Sequence, residues 1–182
     1  MSKVLKRWLI GLAVLAVLVF AGLRLQSVQT KRLSPQETNT FWVDDLQVAI
    51  DYSRPYKKGR LIFGGLVPFD KVWRTGANEA TTLTVNKAIT FGGKTVAPGT
   101  YTLWTIPGPD QWTVILNSKM YGWGIDSDGN ASRDPMADVA KANVRPTALA
   151  EPVEQFTIEV LLDPARLVLK WDTTLVAVPL EQ

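Results

Sequence analysis

Beyond residue 40 the apolar residues of this 182-residue chain recur at every second position, in short runs broken by Gly, Pro, Asn and Asp. That period suits strands with one face buried. Leu46, Val48, Ile50 and Tyr52 alternate with Gln47, Ala49, Asp51 and Ser53. Arg60-Leu61-Ile62-Phe63 is a short apolar run, and Thr81, Leu83 and Val85 alternate with Thr82 and Thr84. Ile89-Thr90-Phe91, Gly92-Gly93 and Lys94-Thr95-Val96 spell a tight hairpin. Tyr101–Ile106 and Trp112–Asn117 follow as strands around the turn Pro107-Gly108-Pro109-Asp110. Late in the chain Phe156–Leu162 and Leu167–Trp171 alternate, and Asp172-Thr173 reads as a turn into Thr174–Val178. The Ala-rich stretch 136–143 is read as an edge strand. No amphipathic stretch is long enough for a crossover helix, which parallel strands require. The expectation is therefore all-β: an antiparallel β-sandwich or flattened barrel of about nine strands.

The one departure from this pattern is N-terminal. Trp8 to Leu23 is a run of sixteen residues without a charge, which as a helix reaches about 24 Å against a hydrocarbon core of about 30 Å. Leu25, a snorkelling Arg24 and Trp8 at the headgroup level extend it to a membrane anchor. The same residues also read as a cleavable signal peptide, with Lys3, Lys6 and Arg7 as its basic region and Val19-Phe20-Ala21 as the cleavage site. Either way the cationic end stays inside and the rest is exported. Lipid attachment to a mature N-terminal cysteine is excluded, because the chain has no Cys. The chain thus divides into 1–25, anchor or signal; 26–40, a polar stalk with a short helical turn at Ser34-Pro35-Gln36-Glu37; and 41–182, one sandwich domain.

Charge and composition narrow the function. The chain has 20 Lys+Arg and 17 Asp+Glu, but the first 24 residues hold Lys3, Lys6, Arg7 and Arg24 and no acid, leaving 16 against 17 and a net −1 on the remainder. A nucleic-acid partner is not expected of a domain without a basic surplus. The chain has neither His nor Cys, which removes imidazole bases, thiolate nucleophiles and His- or Cys-ligated metals. Asp126-Ser127-Asp128-Gly129-Asn130 spaces oxygens like a calcium loop, yet Gly129 stands fourth rather than sixth and the twelfth residue is Ala137, so it reads as an Asp/Gly turn. Gly92-Gly93-Lys94-Thr95 lacks the first glycine of a phosphate loop, where Ala88 stands, and a strand rather than a helix follows. No cofactor or metal is expected.

At Tyr52-Ser53-Arg54-Pro55, Ile62-Phe63-Gly64-Gly65-Leu66-Val67-Pro68, Trp73-Arg74-Thr75-Gly76-Ala77-Asn78-Glu79-Ala80-Thr81, Pro98-Gly99-Thr100-Tyr101, Trp112–Asn117 and Glu151-Pro152-Val153-Glu154, the chain resembles the bacterial domain-of-unknown-function family 2911. The resemblance covers roughly residues 33–179. It implies an exported protein of one compact domain and supplies no reaction. The chain departs from the family pattern at Phe41–Asp45 and around Asp126–Ala142.

The candidate site centres on Trp73–Glu79, which puts a cation, a hydroxyl, an amide and a carboxylate on what reads as one loop between strands. Arg74, Thr75, Asn78 and Glu79, with Arg54 and Arg60 at strand ends, would converge on a carboxylate or phosphate that guanidinium groups grip bidentately. The competing reading is an ion pair of Glu79 with one Arg, and Asn78 fixing the loop backbone. Trp112 and Trp171 share parity with apolar neighbours and are core; Trp104, out of phase with Leu103, and Trp123 are the exposed candidates for stacking a flat ligand. The sequence thus favours a non-enzymatic domain of the bacterial envelope, periplasmic and either tethered or cleaved free, that binds a small anionic or carbohydrate ligand. The alternatives are a hydrolase using Glu79 with Asp51 or Asp70, and an interaction module pairing through a strand edge.

Overall fold

The computed structural model describes residues 2–181 in two compact units, 1–33 and 34–182. The first is a single helix, α1 (Lys3–Leu33, 31 residues), about 46 Å long at the α-helical rise. Its window Val4–Gly22 is long and apolar enough to cross a membrane.

The second unit begins where the helix must stop. Pro35 disfavours helical backbone at Ser34, and the Pro35 carbonyl accepts the Arg54 amide at 2.9 Å. The expected helical turn at 34–37 is therefore absent, and β1 (Gln36–Val43) runs in its place. Glu37, which a capping box would turn back on Ser34, instead forms an ion pair with Arg54. The expected stalk is thus helix up to Leu33 and sheet from Gln36.

The remaining strands are β2 (Leu46–Ser53), β3 (Ala77–Val85), β4 (Ile89–Phe91), β5 (Lys94–Val96), β6 (Gly99–Ile106), β7 (Trp112–Asn117), β8 (Asp138–Val144), β9 (Thr147–Leu161) and β10 (Arg166–Pro179). A six-stranded sheet, ordered β1-β2-β3-β6-β7-β8, accompanies the long β9–β10 pair and the β4–β5 hairpin, and every pair is antiparallel. The expected all-β sandwich is what forms. Stretch 136–143 is strand from Asp138, at the edge of the large sheet, after a 3₁₀ turn at Pro135–Ala137.

Alternation explains the core. Leu46, Val48, Ile50, Leu83, Leu103, Val114 and Leu116 from the large sheet share one buried cluster with Phe156, Ile158, Leu167, Leu169, Trp171, Val176 and Val178 of β9–β10 and Ile89 and Phe91 of the hairpin. Tyr52 bridges the layers: its hydroxyl accepts the Ile158 amide at 2.9 Å, and burial raises its pKa above the ordinary tyrosine value.

Two strand assignments change. Residues 60–63 form no strand: Val67 N bonds Ile62 O at 2.9 Å and Leu66 N bonds Leu61 O at 3.0 Å, closing a tight loop that buries Ile62 and leaves Leu61 exposed. Asp172-Thr173 is no turn but an irregularity inside the continuous β10, with register shifts on both sides of Asp172 and φ of 52° there. Aspartate tolerates that left-handed conformation better than most residues.

Candidate functional site

The Trp73–Glu79 string is only half loop, since β3 begins at Ala77. Its hydroxyl and amide are committed to the scaffold. Thr75 is fully buried at φ 57°, and its hydroxyl lies 3.1 Å from that of Thr105. Thr81 donates to the Thr75 carbonyl at 2.7 Å. Gly76 is required here, because a Cβ would sit 2.9 Å from the Ser53 carbonyl. Asn78, buried and also at positive φ, donates to the Ser34 carbonyl at 3.1 Å.

The three arginines have separate partners. Arg54 donates to the Phe156 carbonyl at 3.0 Å and to Thr157 at 2.9 Å while pairing with Glu37. Arg60 folds back on its own turn, onto the Lys57 and Tyr56 carbonyls at 3.0 and 2.5 Å. Arg74 donates to the Trp123 carbonyl at 3.3 Å and packs against Gly124. Burial lowers the Arg74 pKa and the nearby Glu79 charge opposes that shift. The structure therefore brings together Arg74, Glu79 and Trp123, and gives Arg54 and Arg60 other work.

Trp104 corrects the exposure reading while keeping its parity. It points to the outer face of the large sheet, yet it is fully buried with Ala80 and Ile115, covered by Val72, Ile106, Tyr121 and Ala131. Tyr121 and Ala131 come from the segment between β7 and β8, which is pinned by side chains. The Trp104 indole donates to the Thr102 hydroxyl at 2.9 Å, and that hydroxyl donates to the Lys119 carbonyl at 2.9 Å. Asn117 donates to the Asp134 carbonyl at 2.8 Å and to the Asp138 carboxylate at 2.9 Å. The Asp138 carboxylate also meets Lys141 at 3.0 Å and pairs with Arg133, both carboxylate and guanidinium being nearly buried. Burial works to raise the Asp138 pKa, but hydrogen bonds from Asn117, Lys141 and Arg133 outweigh it and hold the carboxyl below the ordinary aspartate value. In the same segment Asp126 accepts the Asp128 and Asn130 amides at 3.0 and 2.8 Å, the expected turn. Trp123 is 42% exposed, and Trp112 and Trp171 are core.

The carboxylates of the hydrolase reading also disperse. Asp51 accepts Gln36 and Thr38 at 2.7 and 2.9 Å, Asp70 lies on the loop bonded to the Pro107 carbonyl, and Glu79 is beside Arg74.

A concave feature lies elsewhere, where several connections meet. A cleft of about 180 Å³ is lined by Leu61, Phe63 and Phe69, by Gly108, Pro109 and Trp112, by Pro146, and by Asp172, Thr173 and Thr174. Phe63 belongs to an aromatic cluster, 4.7 Å edge-to-face from Trp112, 6.1 Å from Trp73 and 6.2 Å from Trp171, a geometry suited to ring quadrupoles. Phe69 lies over Gly64, where a Cβ would come within 2.7 Å of its ring and where φ is +82°. Asp172 pairs with Lys57 at 2.5 Å. The sequence reading missed this site because its walls come from four separated segments. Its one local signal was a polar Asp172-Thr173 step between two alternating runs.

Fold and surface together define a β-sandwich domain with an end cleft, in a chain that starts with an apolar helix. The chain belongs to the family described as protein of unknown function (DUF2911), whose model matches residues 34–180. No curated protein and no solved structure matches it.

Proposed function

We propose that this protein is a non-enzymatic, small-ligand-binding domain of the bacterial envelope, exported by its N-terminal helix and periplasmic, either tethered by that helix or freed by its cleavage. The observation that carries the reading is the end cleft: a concave, partly aromatic surface with a few polar groups at one edge, the usual make-up of a small-molecule site. The ligand site is thereby moved from the arginines to the cleft. Binding is favoured over hydrolysis because Asp172 is the single carboxylate among the lining residues and Lys57 already holds it, whereas glycoside hydrolysis employs two carboxylates. The 19-residue apolar window supports the location.

The test is a thermal-shift screen of the full chain against sugars, organic acids, phosphates and divalent ions. A ligand at ten times its Kd adds about 1.4 kcal/mol, a rise in Tm of about 3–6 °C for a domain of this size. The shift should vanish in Thr173→Trp, which fills the cleft from its exposed rim, and persist in Arg74→Ala. A shift that survives Thr173→Trp and is lost in Arg74→Ala returns the site to the Arg74–Glu79–Trp123 cluster. No shift from any compound contradicts ligand binding altogether.

A further inference from the structure

Arg54, Arg60 and Arg74 hold separate partners, and the cleft itself points to another class. Its volume of about 180 Å³ lies below the range of about 300–1,000 Å³ for drug-sized pockets. One six-membered ring with its substituents fills such a space. A longer molecule has to leave by the open side.

The lining divides by chemistry. Leu61, Phe63, Phe69 and Pro109 are apolar, and Asp172, Thr173 and Thr174 are polar. A ligand satisfying both has a dry face and a hydroxylated edge. The face of an aromatic ring is electronegative and attracts weakly positive C–H groups. At the polar edge, Asp172, held by Lys57 Nζ at 2.5 Å from its Oδ1, offers a carboxylate acceptor beside the Thr173 and Thr174 hydroxyls. Two vicinal hydroxyls match that edge, since each hydroxyl both donates and accepts, and hydrogen bonds to ionised groups are the stronger kind. An anion is disfavoured at the same spot: Asp172 repels it and already neutralises Lys57. The left-handed bulge at Asp172 brings these groups to the cleft, consistent with the use of bulges to re-aim side chains near sites.

We infer that the cleft binds a single neutral sugar ring, packed against Phe63 and Phe69 and held by vicinal hydroxyls at Asp172 and the Thr173–Thr174 hydroxyls. This rests on the cleft being the ligand site. The ring is then either a free monosaccharide or the terminal residue of a longer glycan that exits through the mouth.

The experiment is saturation-transfer NMR with titration on the full chain, in a zwitterionic detergent that carries no sugar. The probes are the methyl β-glycosides of glucose, galactose and N-acetylglucosamine, with inorganic phosphate and acetate as anionic arms. At least one glycoside should bind with Kd on the order of 1 mM, typical for so few atoms. Phe69→Ala and Thr173→Val should each weaken it tenfold or more. Thr173 is exposed, so its variant keeps the test valid should Phe69→Ala fail to fold. Glycoside binding unchanged by Thr173→Val and Phe69→Ala places the sugar elsewhere and overturns the inference. Phosphate or acetate binding that replaces glycoside binding and is lost in the variants overturns the sugar class while leaving the cleft as the ligand site. Binding by none of the five probes overturns the sugar class too, and the wider thermal-shift screen then decides the cleft.

Discussion

Trp104→Ala measures whether the segment between β7 and β8 is a packed lid on the outer face of the sheet or a loose connection. Trp104 has no exposed surface, lies 5.2 Å edge-to-face from Tyr121, and is enclosed by Ala80, Ile115, Val72, Ile106 and Ala131. Truncating a buried Trp to Ala costs about 3–5 kcal/mol from lost transfer energy and the cavity left behind. The lost indole hydrogen bond adds little, because the Thr102 hydroxyl keeps its own bond to the Lys119 carbonyl at 2.9 Å, so the penalty for an orphaned group, about 1–3 kcal/mol, is not incurred. The expected total is about 4 kcal/mol, or a fall of about 8–16 °C in Tm for a domain of this size. Urea unfolding of wild type and variant gives the number, and amide exchange across 118–134 should accelerate in the variant. A surface Trp would change stability by no more than about 0.5 kcal/mol. A measured loss below about 1 kcal/mol would refute the packed lid.

Three further outcomes follow from the same structure. Asp138→Asn removes the partner of a nearly buried Arg133 and should cost about 3–5 kcal/mol at pH 7 by urea unfolding. Because the folded Asp138 pKa is depressed, its contribution is present above the unfolded aspartate pKa and is lost as pH falls through the lower folded value; the gap between wild type and variant should narrow in melts as pH is taken below the unfolded aspartate value of about 3.9. Gly92→Ala and Gly93→Ala should part company in thermal melts: both have positive φ, at 60° and 78°, but only at Gly92 would a Cβ strike the Lys141 carbonyl, at 2.1 Å. Gly93→Ala should cost about 1 kcal/mol from its left-handed backbone, and Gly92→Ala should cost several-fold more or prevent folding.

How far the sequence carried depended on whether the deciding contacts were local. The alternation of β2, β6, β7 and β9 named the core, and the parity of Trp112 and Trp171 was enough to bury them. Trp104 was assigned the right face and the wrong exposure, because period two says which side a residue points to and nothing of what covers that side. Part of the cover is a polar, Gly- and Asp-rich segment that places only Tyr121 and Ala131 over the indole. The capping box at Ser34–Glu37 is outweighed by a distant partner, Arg54, just past the end of β2. The arginine cluster dissolved for a similar reason: Arg54 finds its acceptor in the Phe156 carbonyl 102 residues away, and nothing near Arg54 in the chain announces it. The cleft combines both problems, since three connections and an irregularity inside β10 build it, and its polar edge depends on a bulge that reads locally as a turn.

The most direct test of the central claim is a ¹H–¹⁵N shift titration of the full chain with the glycoside that binds best. The account predicts that amide shifts concentrate at Leu61–Phe69, Gly108–Trp112 and Asp172–Thr174, with Gly122–Gly124 and Arg74 unmoved. Shifts centred on Arg74, Glu79 and Trp123, or none at saturating ligand, would contradict it.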